Sequence, residues 1–164
     1  MHAWFMDAFP HGDRRLPHHE YPPRMLNVGE LREKTKCAYF KVDMDDPQQM
    51  AKRLSTIRHD KNHSHVDILR IDHEHLNNQT QLLNEMYRPT VRSVDLVHLI
   101  TGGAIYYDVC PEPAEGEEEG RWIRIFLERG DLITIPKGLK HRCTTTGHNF
   151  VRVKRFHQAP VADS

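Results

Sequence analysis

Thirteen histidines in 164 residues raise a question of metal binding or acid–base chemistry, because the neutral imidazole is a common metal ligand and titrates near neutral pH. Their spacing singles out two places. The first is His141, which ends the run Gly130-Asp-Leu-Ile-Thr-Ile-Pro136-Lys-Gly138-Leu-Lys-His141, a G-x5-P-x-G-x2-H pattern. Gly130 turns into a strand, Pro136 and Gly138 make a tight turn, and the next strand carries the histidine. The second is His73-Glu74-His75, whose one-residue separation would bring two imidazoles to one face of a strand. Gln79, four residues beyond His75, offers no carboxylate, and these are read as surface imidazoles. Cys143 would share the face of His141, yet no glycine elbow or helix N-terminus adjoins it to lower its thiol pKa. It reads as a small buried hydrophobe.

The elements that must position these residues fall into two textures. Asp46-Asp-Pro-Gln-Gln-Met supplies an N-cap at Asp46, Pro47 at the first helical position, and Met50, Leu54 and Ile57 as an apolar stripe. A helix over Pro47–Lys61 packing outside the core through those three residues is expected. His65–Asp72 alternates as a strand does, and residues 78–88 place Leu82, Leu83, Met86 and Tyr87 on one helical stripe that Pro89 stops. Beyond Pro89, six short β-like runs with Gly or Pro in nearly every connection imply an antiparallel sandwich or barrel. The expected fold is mainly β (α+β), a small antiparallel barrel spanning about 65–156 with a few helices outside. Residues 1–23, with four prolines, read as an extended segment pinned by Trp4 and Phe5. Pro111–Gly120 carries five glutamates and reads as a solvated hairpin loop, with an acidic docking site as the alternative.

Composition excludes whole classes of function. Lysine plus arginine (23) balances aspartate plus glutamate (23), so no global field steers the chain to nucleic acid or an anionic membrane. Three cysteines without Cys-x-x-Cys spacing are neither a disulfide framework nor a cysteine zinc site. No apolar run is long enough for a signal peptide or a membrane span. One domain over 1–164, in the cytoplasm and possibly also the nucleus, is the expectation.

The Gly130–His141 spacing resembles the second sequence motif of the cupin superfamily, whose histidine points into a jelly-roll barrel. The likeness narrows to the acireductone dioxygenases of methionine salvage through Ala3-Trp-Phe-Met-Asp7, Arg15-Leu-Pro-His18, Ile57–Asn62 followed by Val66–Leu69, Gly103-Ala-Ile-Tyr-Tyr-Asp108-Val, Trp122–Phe126 with Glu128–Leu132, and Pro160-Val161. Such matches in order cover nearly the whole chain. The resemblance implies Fe(2+) or Ni(2+) held by three histidines and a glutamate, chelating the enediolate of an acireductone while O₂ attacks.

Counting back from Gly103, the family's first-motif ligands fall on Thr90, Arg92 and Leu96. A hydroxyl, a permanent cation and an alkyl group stand where two imidazoles and a carboxylate are required. Only His141 remains of four. Strand alternation would turn Thr90, Arg92, Leu96 and His98 to the same side as His141, the cavity of the barrel. The resulting expectation is an inactive member of the family with no metal, no catalytic residue, and a cavity or surface left for a small molecule or a protein partner. Two enzyme readings compete with it. One is an active dioxygenase holding Fe or Ni through other ligands such as His98 with His141, and the other a metal-independent cupin using His141 as general base.

Overall fold

A computed structural model describes residues 1–61 and 63–158. Asn62 and Pro160-Val161, which carry part of the family likeness, lie outside the described residues. Among the described residues nine strands form a curled antiparallel sheet, a half-barrel, with three α-helices and one 3₁₀ segment. In chain order these are β1 His2–Phe5, β2 Met25–Leu26, α1 Val28–Thr35, β3 Ala38–Lys41, α2 Pro47–Lys61, β4 His63–Ile71, the 3₁₀ segment His73–Gln79, α3 Thr80–Tyr87, β5 Leu96–Cys110, β6 Ile123–Glu128, β7 Asp131–Ile135, β8 Lys140–Thr145 and β9 Val151–Gln158. Among the described residues no helix is long and apolar enough to cross a membrane.

The expected helix at residues 47–61 is present with its cap: Asp46 Oδ1 accepts from the Gln49 amide at 3.1 Å. Leu54 and Ile57 are buried, Met50 partly so, against Val42, Val97, Leu99, Leu132 and Phe156. This apolar stripe, rather than helix propensity, fixes the helix to the sheet. The N-terminal segment is more than a drape. Its first residues form β1, which pairs with β6 (Ala3 with Ile125, Trp4 with Arg124) and with β2.

β5 is the spine of the sheet, and four strands pair with it. Its first half lies between β7 and β9, its second between β6 and β8. The Gly102-Gly103 pair, which from sequence separates two strands, instead bends one. The register slips between Ile100 and Gly102, and Gly103 adopts φ +69°. A Cβ there would lie 2.2 Å from the carbonyl oxygen of Phe150, so only glycine permits this crossing.

Cross-strand partners share a face, so the register sorts the second half of β5. One face carries Tyr107 beside Ile125 and Cys143, and Val109 beside Ile123 and His141. This is the side of the main apolar core. The other carries Asp108 opposite both Arg124 and Arg142. There the Arg124 guanidinium grips the Asp108 carboxylate with Nε at 2.7 Å and Nη2 at 2.9 Å. Both side chains are fully buried. Arg124 Nη1 also donates to the carbonyls of Arg14 (2.8 Å) and Leu16 (2.5 Å), tying the N-terminal segment over this face. Arg142 adds Nε at 2.9 Å to the same carboxylate, its guanidinium stacked between Tyr87 and Trp122.

Removing Arg124 would strand a buried carboxylate and two carbonyls. Arg124→Ala is expected to lose about 3–5 kcal/mol in urea denaturation and to expose the Arg14–Leu16 region to early proteolysis. Gly103→Ala should cost at least ~2 kcal/mol from the positive φ and the backbone clash together. A loss under ~1 kcal/mol in either variant would contradict the geometry above.

Candidate functional site

The site begins with the turn that the sequence pattern encodes. Gly130 (φ +92°) and Gly138 (φ +83°) both take left-handed conformations, and the Gly138 amide donates to the Arg92 carbonyl at 2.9 Å. This turn delivers His141, 8 % exposed, onto β8. Its Nδ1 lies 2.9 Å from the Leu139 carbonyl. A carbonyl can only accept, so the proton sits on Nδ1 and Nε2 carries the lone pair. Burial lowers the imidazole pKa, and the Arg92 charge acts in the same direction against the bond to Leu139. His141 is therefore a neutral base or single-ligand nitrogen at neutral pH.

Thr90 lies beside it. The two residues form an isolated antiparallel bridge, with amide-to-carbonyl distances of 2.9 and 3.0 Å. The Thr90 hydroxyl donates to the Arg88 carbonyl at 3.0 Å. Arg92 is exposed and outside any strand, and β5 begins only at Leu96. Alternation therefore cannot carry a common facing back to Thr90 and Arg92: the chain from Pro89 to Asp95 is irregular, with Asp95 Oδ1 accepting from the Lys137 amide at 2.8 Å. Leu96 and His98, both half-buried, do share a face, opposite Ile135 and Ile133.

His98 reaches the same side as His141 by a route the sequence does not show. Counting by twos from Tyr107 would put His98 on the opposite face, but the register slip at Ile100–Gly102 reverses the parity. His98 Nδ1 and the Tyr107 hydroxyl lie 2.7 Å apart. Burial, reinforced by the charges of Arg155, His157 and His141, pushes the His98 imidazole down to about 3. Burial also raises Tyr107, so this bond joins two neutral groups. Cys143, opposite Tyr107, is pushed up to about 12 by burial, so it is no nucleophile, as its sequence context suggested.

These residues do not fit a divalent metal. His141 offers one nitrogen, Thr90 a neutral hydroxyl already engaged, Leu96 nothing, and Arg92 a cation with no lone pair. Among the described residues the only trio of histidine, cysteine or carboxylate ligand atoms within 4.8 Å of one another is Asp72, Glu74 and His75. It sits at the start of the 3₁₀ segment, where Asp72 caps the His75 amide at 3.1 Å and contacts His75 Nδ1 at 2.7 Å. All three have local structural duties or solvent exposure. His73 and His75 stand out by spacing, whereas Asp72 is signalled only by its capping position before the segment.

A curled antiparallel sheet carrying a histidine on the strand after a Gly-Pro-Gly turn is a cupin arrangement. A solved acireductone dioxygenase from Bacillus anthracis with cadmium ion in its active center shares this fold, at TM-score 0.69 and 16 % identity over 81 % of this chain and 84 % of that one. Residues 2–164 match the family model of the ARD/ARD' family. A probable inactive acireductone dioxygenase 1 of Caenorhabditis elegans is 42 % identical over 161 residues, covering 98 % of this chain and 97 % of that protein. The acireductone dioxygenase of Macaca mulatta is 35 % identical over 158 residues, 94 % of this chain and 81 % of that one. This chain belongs to the acireductone dioxygenase family.

The His98 environment gives the fold a defined acid response. Its imidazole is neutral in the folded state down to about pH 3 but takes a proton near pH 6.5 when unfolded. Its depressed pKa contributes stability that is present above pH 6.5 and lost progressively as pH falls towards 3, at up to ~1.4 kcal/mol per pH unit. His98→Asn should flatten the slope of unfolding free energy between pH 6 and 4, measured by urea titration at each pH. An unchanged slope would show that His98 is free to protonate in the folded state.

Proposed function

We propose that this chain is a pseudoenzyme of the acireductone dioxygenase family, a cupin that no longer carries out the metal-dependent oxygenation. One observation carries the reading: the positions that should complete the ligand set around His141 hold Thr90, Arg92 and Leu96. The C. elegans relative is itself named probable inactive, which agrees. Without a divalent ion, nothing in the site chelates the two oxygens of an enediolate, and the Arg92 charge near His141 disfavours a second cation. The barrel then serves as a cavity for a small molecule or as a surface for a protein partner, in connection with methionine salvage.

A metal-independent reaction through His141 is less well supported. His141 Nε2 is poised as a base, but the nearest acid–base candidates are spent: His98 and Tyr107 on each other, and Cys143 held protonated by burial.

Protein purified from nickel- or iron-supplemented medium is expected to carry well under one metal per chain by elemental analysis, and to consume no O₂ with acireductone. Stoichiometric metal that vanishes in His141→Ala would overturn the reading. The triple variant Thr90→His, Arg92→His, Leu96→Glu should gain measurable nickel affinity with a melting temperature that rises on adding metal, with turnover slow or absent because the residues orienting the new ligands are lacking. If it folds yet neither binds nickel nor melts higher with it, Thr90, Arg92 and Leu96 are not the ligand positions.

A further inference from the structure

On the opposite face of the sheet from His141, a cavity of about 400 Å³ opens between Met6–Pro10 and Glu119–Trp122, with Arg142 in its wall. That volume lies in the range of small-molecule sites. Arg142 is held rigidly: Nε donates to the buried Asp108 at 2.9 Å, and the guanidinium is clamped between the rings of Tyr87 (4.3 Å) and Trp122 (4.1 Å). Its terminal nitrogens are poorly used. Nη2 meets only the Met6 sulfur, a weak acceptor, at 3.9 Å, and Nη1 has no acceptor among the described residues. A preorganised guanidinium with free terminal N–H groups is a carboxylate receptor.

The same cavity carries unspent negative charge. Glu20 is paired with Arg121, which leaves Asp7 and Glu119. Asp7 uses one oxygen to accept from the Phe9 amide at 3.0 Å, and Glu119 makes no bond among the described residues. A simple anion is attracted by Arg142 and repelled by the two carboxylates, and a simple cation meets the converse. A ligand bearing both charges a short distance apart satisfies all three groups. Met6, Pro10 and the indole of Trp122 supply an apolar wall beside them.

We propose that this cavity binds a free α-amino acid with an apolar side chain, its carboxylate on the Nη groups of Arg142 and its ammonium between Asp7 and Glu119. The proposal is independent of whether the His141 site holds a metal. Isothermal titration of the full chain with L-leucine and L-phenylalanine is expected to give saturable heat with at least one of them. Leucinamide, which lacks the carboxylate, and 4-methylpentanoate, which lacks the ammonium, should each bind about tenfold or more weakly than L-leucine. Arg142→Lys should abolish binding, and because Arg142 also supports the fold, the double variant Asp7→Asn, Glu119→Gln provides the second arm: it should weaken binding about tenfold or more while keeping the parent's melting temperature. No saturable heat from either amino acid at millimolar concentration, 4-methylpentanoate binding as tightly as L-leucine, or an unweakened double variant would each overturn the proposal.

Discussion

Asp108 and Arg124 are both without solvent contact, and neither charge is tolerable there alone. Arg124 resolves this by spending two nitrogens on the carboxylate and a third on the carbonyls of Arg14 and Leu16. Three parts of the chain are thereby made to agree: the central strand, its neighbour β6, and the irregular stretch around Arg14–Leu16 that follows β1. Arg142 joins the same carboxylate from β8, so the strand that carries His141 is anchored by its alternate residue on the reverse face. The pair is worth little as net stabilisation compared with an apolar packing of equal volume. Its role is to make one arrangement of these segments admissible and others costly.

The two faces of the second half of β5 thus do different work with adjacent residues. Asp108 organises the covering segment, while Tyr107 and Val109 organise the core and the histidine site. The bend at Gly102-Gly103 couples them to the first half of the strand, because the register slip there decides that His98 meets Tyr107 rather than joining Val97 and Leu99 on the helix-covered face. A strand continuing in perfect alternation would have separated the two.

Local chemistry made part of this legible in sequence. The helix at 47–61 was readable because cap, proline and apolar stripe coincide, and the turn at Gly130–Gly138 because glycine and proline there meet specific dihedral demands. β5 was not, because Gly102-Gly103 is the same signal for a turn between strands and for a bend within one; only the close approach of Phe150 distinguishes them. Thr90 and Arg92 belong by sequence to a β-like run that continues into β5, yet the strand starts only at Leu96, and Val91 and Val94 are both exposed. The pairing of β1 is not legible, for nothing in its own residues names β6 as partner. The Asp108–Arg124–Arg142 cluster escapes because charged residues on a strand are ordinarily its solvent face, and the carbonyls that cover Arg124 come from 108 and 110 residues away in sequence.

The same arithmetic of burial applies at Leu96, Thr90 and Arg92. A carboxylate at the position of Leu96, half-buried beside Ile135, would require a cation to offset its desolvation; leucine packs there against the core with no such need. Thr90 keeps the backbone bridge to His141, which depends on its amide and carbonyl and not on its side chain. Arg92 contributes a carbonyl to the Gly138 amide while its guanidinium remains in water. At all three positions the backbone or packing duty is met without placing a buried charge beside His141. His141 fits the same scheme: its Nδ1 is bonded to the Leu139 carbonyl and burial lowers its pKa, so the imidazole is neutral with its Nε2 lone pair available.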